Sequence, residues 1–453
     1  MTTDPIAFIH DFGAGDLTPA LRRAGWQALI DTLGVAASGI ATPLSRAIRE
    51  TAVAEFSAGP GARAARMLFD GRAVSPAGAA LAGGMTTDAI DAHDSFLPAK
   101  GHVGAALVPA LMAVSDGGCP GDEVMARLVV GYEIGCRAGI ALHATAPDYH
   151  TSGAWMAVGC AAAAARARGL DRAATREALG IAEYHGPRSQ MMRVIDHPTM
   201  LKDGAGWGAM AGVAAAGMAA RGFTGAPAIT VEGADVAGIW ADLGTRWMIA
   251  EQSIKPEPVC RWAQPAMHGA VALAKAHGVT ADAIARVEVA TFYNATRLDH
   301  RAPRDTEQAQ YALPFPLAAA LVRGEVGPDE VRGATLEDPA ILDLAARVEM
   351  RVEPAFEARY PAARVAAVTI VTRDGRRLES GPVEAAGDPA RPFTEAALRD
   401  KFHAYAVPVI GHAHAAAVEA AIDALPVGTL GALKAAAEAA PGSVEAAGAL
   451  ETV

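Results

Sequence analysis

The spacing of apolar residues changes near Lys255, from a helical to an alternating pattern, and this change most strongly limits the folds that the chain can adopt. From residue 17 to about 250, apolar residues such as Leu21, Leu29 and Leu33 recur at helical spacing, which predicts successive helices. Aromatic residues make up only 5% of the chain, so the core must be built mainly from alanine, valine, leucine and methionine. Because alanine has high helix propensity and lets helix axes approach, we predict a layered helical bundle without strands here.

Alternating apolar and polar residues appear only after this point, in residues 287–292, 348–352 and 365–372. The last of these runs is followed by Asp374-Gly375 and a further short run to Ser380, which predicts a tight hairpin. Helical patterns at 266–277 and 309–323 lie between the strands. We therefore expect an α+β unit with a small antiparallel sheet. From Glu395 the pattern is helical again, so the tail can return to the first bundle.

Charge and composition exclude several classes of partner. The formal net charge is −11, whereas nucleic-acid binding needs a clustered basic face. The four cysteines have no CxxC spacing, which is typical of free thiols in a reducing compartment. The N-terminus carries acids and no long apolar run, and the small-apolar run at 209–220 is shorter than the roughly 20 residues of a spanning helix. We predict a cytoplasmic protein with neither nucleic acid nor membrane as partner.

Two polar segments interrupt this apolar chain. Residues 91–102 (DAHDSFLPAKGH) carry two carboxylates, two imidazoles, a hydroxyl and an ammonium between alanine-rich segments. A second segment, residues 148–153 (DYHTSG), and the lysines Lys202 and Lys255 add further ionisable groups. Burial of charge without partners is costly, so such a density predicts groups that converge on an anionic substrate. The pattern is typical of an acid/base enzyme.

Seven short motifs occur in a fixed order along the chain, at residues 30–34 (IDTLG), 91–102, 150–153 (HTSG), 200–225, 255–261, 309–315 (AQYALPF) and 398–402 (LRDKF). Each motif alone is weak, but their shared order is specific. The chain resembles the MmgE/PrpD family, which includes 2-methylcitrate dehydratase, cis-aconitate decarboxylase and iminodisuccinate epimerase. The resemblance covers most of the chain, and the spacing within residues 91–102 is especially similar to the epimerase branch.

The resemblance implies a mainly α fold. It implies a helical domain formed by residues 1–256 and 400–453, with an inserted α+β lid domain at 257–399. It also implies a homodimer that acts without a metal or an organic cofactor. Members of the family act on small di- and tricarboxylates by removing or adding a proton beside a carboxylate.

The sequence departs from the family pattern at four positions. His93 stands where an acid is common, Val103 replaces a frequent proline, Gln264 replaces a frequent histidine, and Phe315 replaces a phenol. These differences leave dehydratase, decarboxylase and epimerase activities all open. They also leave open a catalytically idle relative that retains the fold as a ligand-binding or assembly protein.

The catalytic candidates are His102, His150, Asp91, Lys202 and Lys255. Imidazole titrates near neutral pH and can act as general acid or base, and fixed ammonium groups stabilise the carbanion that forms beside a carboxylate. Asp91 would orient an imidazole or a lysine. The alternatives are ordinary ones, because most lysines are solvated surface residues and a lone histidine is more often a helix cap or a hydrogen-bonded core residue.

The substrate-binding candidates are Ser95, His93, Arg261 and Phe315. His93 would contact substrate in place of the acid, or else face solvent, and Arg261 lies in a proline-rich loop at the expected domain junction. Two further positions have competing interpretations. Arg188 would hold a second carboxylate or form a surface salt bridge. Asp94 would either take part in the acid/base chemistry or cap the following turn.

Asp91, His93, Asp94 and His102 offer nitrogen and oxygen ligands for a metal, but their spacing matches no standard zinc pattern. We predict no metal. The leading hypothesis is a cofactor-independent lyase or isomerase that acts on a small polycarboxylate, or its amino or imino analogue, by proton transfer at the carbon next to a carboxylate.

Overall fold

Helices dominate the computed structural model, which describes residues 4–443. The part before residue 256 contains α1 (Pro5–Asp11), α2 (Pro19–Gly39), α3 (Pro43–Glu55), β1 (Ala65–Arg66), β2 (Ala73–Val74), α4 (Pro76–Asp88), α5 (Gly104–Val114), α6 (Gly121–Thr145), α7 (Ser152–Ala167), α8 (Arg172–His185), α9 (Met191–Asp196), α10 (Ala205–Ala219), α11 (Ile229–Glu232) and α12 (Ala237–Trp240). The predicted mainly α class is confirmed. The expectation of no strands in this half is wrong only for the two-residue pair β1 and β2, which is too short to show alternation.

The second part adds a sheet and further helices. Its elements are α13 (Gln264–His277), β3 (Ile284–Thr291), α14 (Tyr293–Thr296), α15 (Thr306–Gln310), α16 (Pro314–Arg323), α17 (Pro339–Ala346), β4 (Val348–Val352), α18 (Pro354–Glu357), β5 (Val365–Thr372), β6 (Arg377–Glu384), α19 (Glu395–Ile410), α20 (His412–Ala424) and α21 (Leu430–Ala437).

The sheet has the strand order β4-β3-β5-β6 and is mixed rather than antiparallel. β5 pairs antiparallel with β3 and β6, but β3 and β4 run parallel. The prediction of a purely antiparallel sheet is therefore wrong for one pair. The reason lies in the connection, because the long helical segment between β3 and β4 returns the chain to the same end of the sheet, as parallel pairing requires. The hairpin between β5 and β6 turns at Gly375, whose φ of 89° suits glycine.

One predicted helix is divided in two. The pattern at 309–323 predicts a continuous helix, whereas α15 ends at Gln310 and α16 begins at Pro314. Proline lacks the N–H that would continue the first helix and is tolerated at a helix start. The break leaves Gln310 and Tyr311 at a helix end, where both side chains reach the other half of the molecule.

The buried apolar residues form two main cores. The first includes residues of α2, α5 and α7 together with Leu398, Phe402 and Leu433 of the C-terminal helices, and α19 packs against α2. The second lies around the sheet and α13, and it also contains residues of α9. The proposed domain boundaries after residues 256 and 399 stay a prediction, and residues 444–453 of the proposed tail lie outside the described residues.

Within residues 4–443, no helix taken singly has both the length and the apolar character needed to cross a membrane. α2 and α3 meet these criteria only when taken together, and the two are bent by 91° at the break between them.

Candidate active site

The polar segment 91–102 forms the loop that connects α4 to α5. Its backbone is tied to the chain before Lys255, because Ser95 and Ser253 exchange two N–H to carbonyl hydrogen bonds of 2.7 Å. Phe96 and Gly101 pair in the same way across the loop itself. The loop and the lysine segment are therefore held side by side by backbone contacts.

Asp91 and Lys255 form a buried ion pair at this junction. The Lys255 ammonium donates to Asp91 Oδ1 at 2.6 Å, and the two side chains are 0% and 2% exposed, respectively. Burial alone raises the pKa of a carboxyl group, but the charges of Lys255 and Lys202 overcome this effect and lower the pKa of Asp91 to about 2. Asp91 is therefore a fixed negative charge beside a fixed positive one.

His102 lies next to this pair. Its Nδ1 contacts the backbone carbonyl of Asp94, and its Nε2 lies 3.8 Å from Asp91 Oδ1 and 4.0 Å from Asp203 Oδ2. A carbonyl can only accept, so Nδ1 carries the hydrogen and Nε2 keeps its lone pair in the neutral ring. Burial, followed by the charges of His93 and Lys255, lowers the pKa of His102 to about 3. The imidazole is thus held neutral, the state that a general base requires.

Lys202 and Asp203 approach from the turn before α10. The Lys202 ammonium donates to Gln310 Oε1 and lies 4.6 Å from the centre of the Tyr311 ring. Burial lowers the pKa of Lys202, and the charge of Asp91 opposes this effect. Burial also raises the pKa of Asp203, and the charge of Asp88 adds to the rise. We call Asp91, His102, Lys202, Asp203 and Lys255 the acid/base cluster.

Backbone strain concentrates at this site. Among the described residues, four that are not glycine have a positive φ, namely Phe69, Asp91, Lys100 and Lys202. Two of them carry cluster side chains and Lys100 lies in the same loop. Such conformations cost free energy and are kept where the surroundings or function require them.

Asp88, at the end of α4, holds the turn that carries Lys202 in place. Its Oδ2 accepts the N–H groups of Asp203 at 3.0 Å and of Ala205 at 3.3 Å, which are free donors at the start of α10. Its Oδ1 lies 3.3 Å from His93 Nε2. The His93 ring in turn meets the His102 ring edge-on, with centroids 4.4 Å apart. His93 is fully buried and does not face solvent.

Asp94 serves as a helix cap, the second of the two interpretations of this residue. Its Oδ1 accepts the N–H of Gly104 at 3.0 Å at the start of α5, and its Oδ2 accepts the Tyr132 hydroxyl at 2.7 Å. This cap fixes the end of the loop immediately after His102.

The motifs at 30–34 and 398–402 meet behind the loop. Lys401 of α19 donates to Asp31 of α2 and, at 2.7 Å, to the backbone carbonyl of Ala92. A buried ion pair thus holds the carbonyl that follows Asp91. Neither motif supplies a member of the acid/base cluster, and both support its backbone.

The segment that carries His150 runs beside the loop that carries His102. The Tyr149 hydroxyl donates to the backbone carbonyl of Lys100, and Ser152 Oγ accepts the His102 N–H at 2.8 Å. Gly101 permits this contact, because a Cβ there would lie 2.3 Å from Ser152 Oγ. His150 Nδ1 is held at 2.9 Å by the Asp148 carbonyl, so both imidazoles are fixed through Nδ1. The described contacts do not join the two rings directly.

The other predicted substrate-binding residues lie outside the cluster. The Arg261 guanidinium binds Asp388 at 2.5 Å and the Ala386 carbonyl at 2.8 Å. Phe315 is buried in α16 within the second core. Ser95 joins the loop to Ser253 through its backbone. Contact of these three with substrate stays a prediction, as does the choice of catalytic residues.

Sequence reasoning missed Asp203, Gln310 and Tyr311 as members or neighbours of the cluster. Asp203 directly follows Lys202, which is one of the predicted catalytic residues. An acid next to a basic candidate is a signal by which the sequence could have indicated Asp203. Burial raises the pKa of Tyr311 well above its usual value, and Asp91 adds to the rise. The phenol that is missing at Phe315 therefore has a counterpart four residues earlier, on the other side of the helix break.

Three potential metal ligands lie together, since one ligand atom each from Asp91, His93 and His102 fall within 4.8 Å of one another. Several of their ligand atoms are already engaged, and His102 Nε2 keeps its lone pair. Asp91 Oδ1 holds the Lys255 ammonium, His93 Nε2 faces Asp88, and His102 Nδ1 contacts a carbonyl. A cation here would compete with the lysine, so this donor set fits a metal poorly.

An open cavity of about 230 Å³ reaches Lys202. Its wall includes Thr151, Gln190, Arg193, Leu201 and Trp207. Of the acid/base cluster, Lys202 is the member that lines this cavity.

Two family models match the chain over most of its length. The MmgE/PrpD N-terminal domain matches residues 6–241, and the MmgE/PrpD C-terminal domain matches residues 258–426. A comparison with curated proteins found no match.

Proposed function

The chain belongs to the MmgE/PrpD family, and from this premise we propose that it is a cofactor-independent lyase or isomerase. Its substrate is a small di- or tricarboxylate, or an imino or amino analogue of one. The reaction begins with the transfer of a proton from the carbon next to a carboxylate.

The observation that carries the proposal is the neutral His102 imidazole beside fixed ammonium groups. A proton next to a carboxylate is very weakly acidic, so a base alone is insufficient and the developing negative charge must be stabilised as it forms. His102 Nε2 has a free lone pair and accepts the proton. Lys202 and Lys255 bind the carboxylate oxygens on which the charge accumulates.

Asp91 and Asp203 complete this assignment. The pKa of Asp91 is lowered, so it stays ionised and stabilises the imidazolium once His102 holds the proton. The pKa of Asp203 is raised, so its carboxyl group retains a proton more readily and suits a proton donor. His150, whose Nε2 has no protein partner within residues 4–443, supplies a second acid/base group.

The same first step leads to either outcome. In a dehydratase, the electron pair of the carbanion expels the β-hydroxyl group, which takes a proton from the cluster and leaves as water; in an isomerase, a proton returns to the opposite face of the same carbon. A decarboxylase uses the cluster in the other direction, because the departing CO2 leaves its bonding electron pair on the substrate, where a carbon takes up a proton. The residues of the cluster are compatible with each of these reactions.

The test is incubation of the protein with a panel of polycarboxylates in deuterated water, followed by proton NMR. Exchange without net loss of substrate identifies an isomerase, and an alkene signal identifies a lyase. His102→Gln is expected to abolish either signal, whereas His277→Gln, at the exposed end of α13, should not. If no compound in the panel exchanges or reacts with the wild-type protein, the proposal fails and a ligand-binding relative is favoured instead.

A further inference from the structure

Two cations near the cluster have no anionic partner. Lys100 lies in the 91–102 loop, and Arg364 directly precedes strand β5. Neither forms an ion pair with a carboxylate anywhere in residues 4–443. Arg364 is only 7% exposed; its guanidinium donates one hydrogen bond to the Pro361 carbonyl at 2.6 Å, while its Nε is buried without a hydrogen-bond partner. An unpaired buried cation is costly, so the arrangement requires an explanation.

A short row of aromatic rings connects the two cations. The Lys100 ammonium lies 4.9 Å from the centre of the Tyr149 ring, and the Arg364 guanidinium carbon lies 5.7 Å from the centre of the Tyr360 ring. Both tyrosine rings lie against Trp262, at centroid distances of 6.5 and 6.2 Å. The rings supply some cation–π stabilisation, but they do not neutralise two charges.

The two cations also repel each other. Burial lowers the pKa of Lys100, and the charge of Arg364 lowers it further. Another buried cation, Arg261, is paired with an acid, Asp388, whereas no acid pairs with Lys100 or Arg364 within residues 4–443. The uncompensated charge therefore points to an anion that comes from outside the chain.

The position of this pair relates it to the acid/base cluster. Burial raises the pKa of Cys260 to about 12, Asp91 adds to the rise, and Lys255 and Arg364 both oppose it. The Cys260 thiol thus senses the cluster and Arg364 together. Tyr149 senses Asp203 and Arg364 in the same way. Cys260 is also joined to the cluster by contacts, because its backbone N–H donates to the Gln310 carbonyl at 2.8 Å and Gln310 Oε1 accepts from Lys202.

We propose that Lys100 and Arg364 form a second anion-binding subsite, which holds the distal carboxylate of the substrate while Lys202 and Lys255 hold the carboxylate beside the reacting carbon. The proposal takes the reaction from the proposed function, but the binding of a carboxylate by Lys100 and Arg364 can be tested without turnover. A guanidinium is suited to a carboxylate, because it donates two parallel hydrogen bonds. The subsite selects dicarboxylates over monocarboxylates. Arg188, the sequence-based candidate for this role, is exposed instead.

The test is calorimetric titration with succinate, an unreactive four-carbon dicarboxylate, and with propionate as the matched monocarboxylate. We expect Arg364→Gln and Lys100→Gln each to weaken succinate binding by roughly 10- to 100-fold and to leave propionate binding within about twofold. Arg373→Gln and Lys275→Gln, which change exposed residues of the same types, are the controls and should alter neither. Unchanged succinate affinity in both subsite variants, or no wild-type preference for succinate, overturns the inference.

Thermal unfolding of the unliganded protein separates a binding role from a structural one. Lys100→Gln removes one of two repelling cations and leaves the backbone contact between Tyr149 and the Lys100 carbonyl in place. Its melting temperature should therefore equal or exceed that of the wild type, whereas a structural role for the ammonium would lower it. Succinate should raise the melting temperature of the wild type and not that of Lys100→Gln.

Binding and turnover are measured independently, so the two proposals can fail separately. If the succinate pattern holds but no polycarboxylate exchanges a proton, the subsite stands and the proposed reaction falls. If exchange occurs but the variants bind succinate as the wild type does, the reaction stands and the subsite falls.

Discussion

The ammonium of Lys255 and the carboxylate of Asp91 are 2.6 Å apart and almost completely removed from solvent. They come from segments 164 positions apart in the chain, and the Ser95–Ser253 backbone pair brings those segments together. The pair sets the charge around His102 and ties the 91–102 loop to the chain that leads into the second core.

Lys255→Met should destabilise the protein and abolish activity. It leaves the Asp91 carboxylate buried without its partner, a change that costs about 3–5 kcal/mol in comparable pairs. Urea unfolding measures the loss. The double variant Lys255→Met/Asp91→Asn should recover much of the stability but none of the turnover, and recovery of turnover would contradict the assigned roles.

The stability of the protein should fall as the pH is lowered from about 6.5, partly because of His102. The pKa of this residue is about 3 in the folded protein against an ordinary value of 6.5, so the unfolded chain binds a proton that the folded protein does not. The contribution of His102 is present above pH 6.5 and is lost on acidification, by about 2 kcal/mol at about pH 5. Comparison of wild type with His102→Gln by denaturant unfolding at several pH values isolates it. If the free energy of unfolding changes with pH in the same way for both proteins, the pKa assigned to His102 is wrong.

Tyr311→Phe should lower turnover by roughly 10- to 100-fold and change the melting temperature little. The Tyr311 hydroxyl makes no hydrogen bond to another of residues 4–443, so its removal leaves no protein group unpaired. Steady-state kinetics with a substrate found in the deuterium screen measures the effect. Tyr184→Phe, on a ring that is 78% exposed, is the control, and equal activity of both variants would show that the Tyr311 phenol is not used.

Gly101→Ala should reduce both stability and activity. The added Cβ would lie 2.3 Å from Ser152 Oγ and 2.8 Å from the Trp155 ring, and such overpacking costs about 1–3 kcal/mol. It also separates the His102 N–H from Ser152. Gly118→Ala adds the same atom where nothing lies within 4 Å and should behave as the wild type in urea unfolding and in turnover.

Exhaustive chelation should leave activity unchanged, because Asp91 Oδ1 already binds the Lys255 ammonium, whose positive charge would repel a metal ion. Turnover before and after dialysis against EDTA tests this expectation. Loss of activity that returns with added zinc would show instead that Asp91, His93 and His102 bind a metal.

The sequence predicts the architecture well where periodicity is strong. The strands at 348–352 and 365–372 coincide with β4 and β5, because alternation over a half-buried sheet leaves a clear pattern. The parallel pairing of β3 and β4 could not be read, since it depends on where a long helical connection returns the chain. The break between α15 and α16 at residues 311–313 was not predicted, because Pro314 lies within an otherwise helical pattern of apolar residues.

The site was predictable in its residue types but only partly in its geometry. Asp91, His102, Lys202 and Lys255 stood out as ionisable groups in an apolar chain, and the structure brings them together. The supporting role of Asp88 was not predictable, because it caps a helix 117 positions later in the chain. The Lys100 and Arg364 pair was also hidden, since an unpaired charge is recognised only when its surroundings are known.

The hydrogen bond between Lys202 and Gln310 has a thermodynamic consequence. The ammonium to which we assign a substrate carboxylate also joins the two cores, since Gln310 in turn donates to the carbonyl of Ala89 at the end of α4. The ammonium has three N–H donors, so it can hold an anion and Gln310 together. Under the proposed function, a ligand that draws the ammonium away from Gln310 would also weaken this link between the two cores.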